Sequence, residues 1–359
     1  MNQQGQQVNA PSVWTREDLA REKDWIRVLE PREVAEVLDA VGEVRRRGVE
    51  LLDLSPALFP LPIFSRKLAD IADELERGRG IVQIRGLPVA DLTAEDRKAM
   101  IWGLGTYLGT GLSQSKQGDF LGEVTDRDVN VEASDARAYR SKGLSRFHFD
   151  RCDVVGLLCI DQAKGGGESR VVSSAAVHNE VLRRRPDLMD VMYGDLYQSR
   201  QGEEAPGEKP YFRIPLFTIY EGQFSAQLSF LYTESAQRFD EVPRLTERQK
   251  ELLALVGEIC DELYVESPFL PGDLQLLNNH VTWHCRAGYE DHAESERRRL
   301  LYRLWLSTPV GRALPESYRD SWGETAAGAI RGGVASYDGW KDVASLRRRR
   351  KVQGTTDAS

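Results

Sequence analysis

The sequence predicts an α+β protein with a mainly β core, a cupin-like double-stranded β-helix (jelly roll) with flanking and inserted helices. Three observations carry this. Helical patterns cluster near the front, short strand-like runs follow at irregular spacing, and one long helical pattern interrupts late. A regular βαβ alternation would space strands and helices evenly, which this chain does not do. A closed double sheet with helices outside accommodates the order.

Residues 1–13 are polar, glutamine-rich and without apolar periodicity, the pattern of a disordered tail. Thr15, followed by acidic residues, reads as a helix N-cap, and a second helix is predicted over 31–48. A third over 65–78 leads into 81–86, whose alternation is that of a half-buried strand closed by a glycine. Runs 153–160 and 169–172 predict strands broken by the glycine turn at 165–167. A helix then starts near Ser174 and stops at Arg185, because Pro186 disfavours helix in the residue before it. Further strands are predicted over 213–220 and 223–230. Thr246 and Gln249 have capping-box spacing and head a helix over 247–264. The turn Pro271-Gly272-Asp273 feeds a strand at 274–278, and 299–306 is the last strand. The chain is thus expected to form one domain over 14–340, with the jelly-roll core over about 80–310. A solvated basic tail over 341–359 carries Arg347, Arg348, Arg349, Arg350 and Lys351.

At 359 residues and 41% hydrophobic, the chain can bury a substantial core. Its net charge of -8 disfavours nucleic acid and anionic membranes, which reward a basic face. No run approaches the roughly eighteen apolar residues of a membrane span. The start, MNQQGQQVNAPS, lacks the basic-then-apolar pattern of a signal peptide, so a cytoplasmic protein is expected. The expected partner is a small-molecule substrate, and a homo-oligomer is compatible with the composition. Cys152, Cys159, Cys260 and Cys285 show no metal-type spacing and read as buried thiols.

His148 and Asp150 lie two apart, which on extended backbone points both side chains the same way, so they can bind one ion together. Two histidines and one carboxylate on one face of an octahedron leave open positions, the donor set of iron(II) oxygenases. Of the other histidines, His178 falls inside a predicted helix and His292 in a polar loop. His280 and His284 remain. They are four apart, but no Glu follows His280 and the segment follows a strand-turn pattern, against a zinc-protease helix.

These residues resemble the taurine dioxygenase-like (TauD/TfdA) family of iron(II)/2-oxoglutarate oxygenases. The motifs stand in order: His148-Phe149-Asp150, Gly166-Gly167-Glu168-Ser169, Pro271-Gly272-Asp273-Leu274 through Asn278-Asn279 to Trp283-His284-Cys285-Arg286, and Arg299-Leu300-Leu301-Tyr302-Arg303. The resemblance spans about 80–306 and selects His284 over His280 as the third ligand. It implies Fe(II), 2-oxoglutarate and O2 as cofactors, with oxidative decarboxylation to succinate and CO2 coupled to oxidation, by default hydroxylation, of a substrate C–H bond. Arg299 would bind the distal carboxylate of 2-oxoglutarate, a task suited to a planar, permanently charged fork. Ser169 stands where relatives usually place threonine and keeps a hydroxyl donor. Asp150 argues against halogenation, because halogenating relatives place a small residue there.

Arg303, four residues beyond Arg299, faces the same side; it either binds an acidic group of the substrate or pairs with an acidic neighbour. Gln114 is a further candidate substrate contact. Phe149, Trp283 and Trp305 read as core packing, Cys285 as a small buried residue, and Arg297 and Arg298 as solvated. Competing readings are a zinc- or manganese-dependent isomerase or hydrolase on the same barrel, desaturation or cyclisation by the same iron centre, and a non-catalytic binding module.

Overall fold

The computed structural model describes residues 5–125, 145–294 and 297–356. Residues 1–4 and 357–359 of the two expected tails lie outside the described residues. Residues 5–13 are tied down rather than loose. Val8 exchanges two hydrogen bonds with the Asn179 side chain, and the Ser12 carbonyl accepts from Ser173 Oγ. Polar composition conceals this because the ties use backbone groups, which every residue type offers.

Capping chemistry starts the front helices. Thr15 and Asp18 form a reciprocal box ahead of α1 (Arg16–Arg21), and after β1 (Ile26–Val28) Glu30 and Glu33 do the same for α2 (Pro31–Arg47). Gly48, at φ 62°, ends α2 in the left-handed conformation that glycine adopts freely. α3 (Phe64–Arg77) buries Leu68, Ile71 and Leu75 and leads into β2 (Ile81–Arg85). The next element, α4 (Ala94–Leu108), is not legible in the sequence pattern. It is buried on most of its circumference, so it carries no apolar stripe to detect. Gly103 and Gly105 permit that burial, since a methyl at either would collide with Phe59 or Leu304.

Short strands β3 (Thr110–Gly111) and β4 (Leu121–Val124) precede β5 (Val154–Asp161), β6 (Gly165–Gly166) and β7 (Ser169–Ser173). Ser173 caps α5 (Ser174–Arg184), and α6 (Met189–Met192) follows. Two hairpins come next: β8 (Asp195–Ser199) with β9 (Tyr211–Pro215), and β10 (Phe217–Tyr220) with β11 (Gln223–Ala226). The single strand expected over 213–220 is therefore two. The run expected to reach 230 stops at Ala226, because Ser229 accepts from the Tyr232 N–H and caps α7 (Phe230–Ala236). α8 (Glu247–Leu263) starts at the Thr246–Gln249 box. Then come β12 (Val265–Ser267), β13 (Leu274–Asn278), β14 (Thr282–Arg286), β15 (Tyr289–Glu290), β16 (Leu300–Ser307), α9 (Arg319–Trp322) and α10 (Val343–Thr356). α10 occupies the stretch expected as a solvated tail. Val343 and Leu346 are buried, and Arg347 donates to the carbonyls of Leu52 and Leu54.

The strands build a double sheet. The main sheet runs β1-β2-β13-β5-β16-β3, with β4 also paired to β16; the second sheet is β12-β7-β14. Strand alternation sorts the side chains into layers. From β5, Val154, Leu158 and Ile160 join the helical layer of α2, α3 and α4, while Val155, Leu157 and Cys159 face the space between the sheets. From β14, Trp283 joins the layer of α5 and α8. The result is the jelly roll with flanking helices. Because both faces of the main sheet are covered, residues 81–84 are all buried rather than half-buried. The four cysteines are free and buried. Among the described residues no helix is long and apolar enough to cross a membrane.

Candidate metal centre and cosubstrate pocket

Between the sheets lies a cavity of about 300 Å³, and the predicted site residues other than Gln114 meet in it. Residues 145–150 form no regular strand, but His148 makes antiparallel bridges to His284 on one side and Ser229 on the other. Its N–H and carbonyl pair with those of His284 at 3.0 Å each way. That extended backbone alternates. Phe147 and Phe149 join the core around α5 and α8 while also bordering the cavity, and His148 and Asp150 bring their ligand atoms together in it.

Ligand atoms of His148, Asp150 and His284 lie within 4.8 Å of one another, with His284 Nε2 3.8 Å from Asp150 Oδ2 and the two imidazole centroids 4.5 Å apart. His148 Nδ1 bonds the Arg146 carbonyl at 2.9 Å, which leaves Nε2 for the site. Trp305 Nε1 donates to Asp150 Oδ2 at 3.0 Å, and Arg303 Nη1 lies 3.6 Å from Asp150 Oδ1. The Asp150 N–H donates to Asn279 Oδ1, whose amide also donates to the Cys152 carbonyl. Burial opposes ionisation of Asp150, but Arg303, the two imidazoles and the Trp305 N–H outweigh it and hold the carboxyl below its usual range. Burial, reinforced by His148, pushes His284 down to about 3, so its imidazole is neutral and its lone pair free. Two imidazoles, that of His284 held neutral, and an ionised carboxylate fit a divalent first-row metal.

Arg299 sits at the cavity's inner end, 4% exposed. Its Nη2 donates to the Gly167 carbonyl at 3.3 Å, its guanidinium lies 5.3 Å from the Tyr289 ring centroid, and Nη1 is buried without a partner. Gly167, at φ 79°, brings backbone against this side chain; a Cβ there would sit 3.0 Å from Nε. Burial, with help from nearby Arg286, lowers Arg299 to about 10. A desolvated cation with an unused donor fits an anionic ligand such as the distal carboxylate of 2-oxoglutarate. Ser169 lines the same cavity, but its hydroxyl donates to Gln275 Oε1.

The remaining candidates separate. Arg303 lines the cavity beside Asp150. Gln114 does not reach the cavity. It lies behind Arg303, accepting from its Nε at 2.8 Å and donating to its carbonyl at 2.8 Å, because its loop pairs with the outer edge of β16. His280 is held apart by Asp153 at 2.8 Å and Trp322, and burial lowers it to about 4. His178 lies in α5 as expected, fully buried against Tyr193. Phe149, Trp283 and Trp305 pack in the core as expected, and Trp305 in addition bonds the Asp150 carboxylate. Sequence reasoning missed that contact, Asn279 and Gln275. The one available signal was that Trp305 shares strand parity with Arg303.

A jelly roll with a His-Asp-His cluster and a buried arginine in one cavity defines a non-haem iron oxygenase site. The sequence matches the taurine catabolism dioxygenase TauD, TfdA family over residues 51–305, and the chain belongs to that family. It is an iron(II)- and 2-oxoglutarate-dependent dioxygenase that uses O2. It is 31% identical over 329 residues to FR-33289 synthase of Streptomyces rubellomurinus, covering 89% of this chain and 96% of that one. It is 27% identical to the taurine hydroxylase-like protein SAT17 of Stachybotrys chartarum, over 83% of this chain and 79% of the relative. In fold it is similar to an asparagine oxygenase solved with Fe(II), 3-hydroxyasparagine and succinate. That likeness has a TM-score of 0.63 at 18% identity and covers 79% of this chain and 94% of the other. The non-haem iron oxygenase OrfP with iron and α-ketoglutaric acid gives 0.60 at 15%, over 85% of this chain and 99% of that one.

Proposed function

We propose that His148, Asp150 and His284 hold the iron, that Arg299 and Ser169 bind the distal carboxylate of 2-oxoglutarate, and that the enzyme hydroxylates a C–H bond of a small carboxylate-bearing metabolite in the cytoplasm. The observation that carries this reading is the meeting of the three donors in the cavity that also holds the unpartnered Arg299 Nη1. Bound iron supplies the oxidative chemistry that converts 2-oxoglutarate and O2 to succinate and CO2 while a substrate C–H bond is oxidised.

The chain's own residues hold and shield. The Arg146 carbonyl orients His148, Trp305 and Arg303 orient the two oxygens of Asp150, and Asn279 fixes its backbone. Leu157, Phe269 and Leu301 make an apolar surround near Arg299, which strengthens its pairing with an anion. Arg146, Arg151, Arg286 and Arg303 join Arg299 in the lining, against Asp150 and Glu203 as the carboxylates among the described residues. That excess of cations favours an anionic substrate. The hydroxylated amino acids bound to the asparagine oxygenase and to OrfP are small and each carries a carboxylate. Arg303 is placed to contact the substrate, and Gln114 acts through Arg303.

The test is a screen of small anionic metabolites under air with Fe(II) and 2-oxoglutarate, read by succinate release and substrate mass. Gain of one oxygen, dependent on iron, is expected; loss of two hydrogens would select desaturation. Turnover with zinc or manganese in place of iron, without 2-oxoglutarate consumption, would overturn the proposal.

A further inference from the structure

Behind the cosubstrate end of the cavity lies a buried polar pair. Ser169 on β7 and Gln275 on β13 come from facing sheets, and the Ser169 hydroxyl donates to Gln275 Oε1 at 2.6 Å. Gln275 is fully buried, and its Nε2 has no partner. Its neighbour across the sheet, Gln83, is already engaged: its Oε1 accepts from Ser267, and its Nε2 donates to Asp273.

A hydroxyl carries one proton. While Gln275 accepts it, Ser169 has none for an anion in the cavity, and a buried amide N–H is left stranded. A stranded N–H is rarer and worse tolerated than a stranded carbonyl. Turning the amide over exchanges its nitrogen and oxygen without displacing the side chain. The nitrogen then donates to Ser169 Oγ, and the hydroxyl proton is released towards the cavity, where Arg299 Nη1 also lacks a partner.

We propose that Gln275 is a positioning residue for 2-oxoglutarate. Its amide nitrogen donates to Ser169, so that the serine hydroxyl donates to the carboxylate gripped by Arg299. The inference rests on the reading of Ser169 and Arg299 given above. In this relay Arg299 supplies the charge, and Ser169, aimed by Gln275, supplies a second donor of fixed direction.

The test is calorimetric titration of 2-oxoglutarate into the Fe(II)-loaded enzyme without oxygen, with melting of each variant followed in parallel. Gln275→Met, close in volume but without an amide, is expected to weaken binding about tenfold, the loss of one hydrogen bond to a charged group. Ser169→Ala should weaken it by a similar factor. The double variant should be no weaker than either single one, because all three remove the same relay. Gln275→Leu likewise offers no donor; it should bind as weakly and serves if the methionine variant does not fold. Unchanged affinity in a folded Gln275 variant beside a weakened Ser169→Ala, or additive losses in the double variant, would overturn the relay alone. Unchanged affinity in Ser169→Ala would overturn the reading of Ser169 and the relay together.

Discussion

Replacing Arg299 with methionine separates what the guanidinium does for the ligand from what it does to the fold. In the folded protein burial lowers it to about 10, a cost of roughly 3 kcal/mol to stability. The folded state holds the proton less tightly than the unfolded one, so this cost is present at every pH below about 10. Only the Gly167 carbonyl at 3.3 Å and the face of Tyr289 offset it among the described contacts of the guanidinium. Methionine keeps most of the length and removes the charge. The ligand-free variant is therefore expected to melt at or above the wild-type temperature. 2-Oxoglutarate behaves oppositely: losing the cationic partner of a buried carboxylate costs about 2 to 5 kcal/mol, or roughly 30-fold to several thousand-fold in Kd. Calorimetric titration under anaerobic conditions measures the second quantity and scanning calorimetry the first. A Kd within threefold of wild type, or a ligand-free variant that melts far lower, would refute the reasoning and make Arg299 a structural residue.

Trp305→Phe keeps the ring but removes the N–H bonded to Asp150 Oδ2, and should weaken Fe(II) binding about 10- to 100-fold in an iron titration. Wild-type affinity would remove Trp305 from the support of the site. His284→Ala should abolish iron binding. His280→Ala should retain iron yet lose about 2 kcal/mol of stability in denaturant unfolding, since it takes a partner from buried Asp153; the reverse pattern would exchange the two assignments. Without metal, the unfolded chain protonates these histidines near pH 6.5, whereas the folded chain resists until about 4 for His280 and about 3 for His284. The unfolded state thus binds more protons in that window, and stability falls as pH drops from about 6.5 to about 4. A melting temperature that stays flat there would contradict the burial of neutral imidazoles.

The sequence by itself determined the local chemistry. Capping residues such as Thr15 and Thr246 act on N–H groups three positions away, so they start helices wherever the chain later packs. The two-residue spacing of His148 and Asp150 guarantees a shared side on any extended backbone, and that half of the metal centre was legible without a partner strand. Tertiary structure decided everything that depends on which strands become neighbours. α4 left no stripe because it is enclosed, and residues 81–84 are wholly buried because helices cover the main sheet's second face. The family resemblance had already chosen His284 over His280, but how His284 reaches the site, and the bond from Trp305 to Asp150, cannot be read from spacing. His284 reaches the site through its bridge to His148, and Trp305 through β16 lying beside β5. Hydrogen bonds and ion pairing act over a few ångströms, while the residues they join here stand more than a hundred positions apart, so only the closed double sheet could bring them within reach.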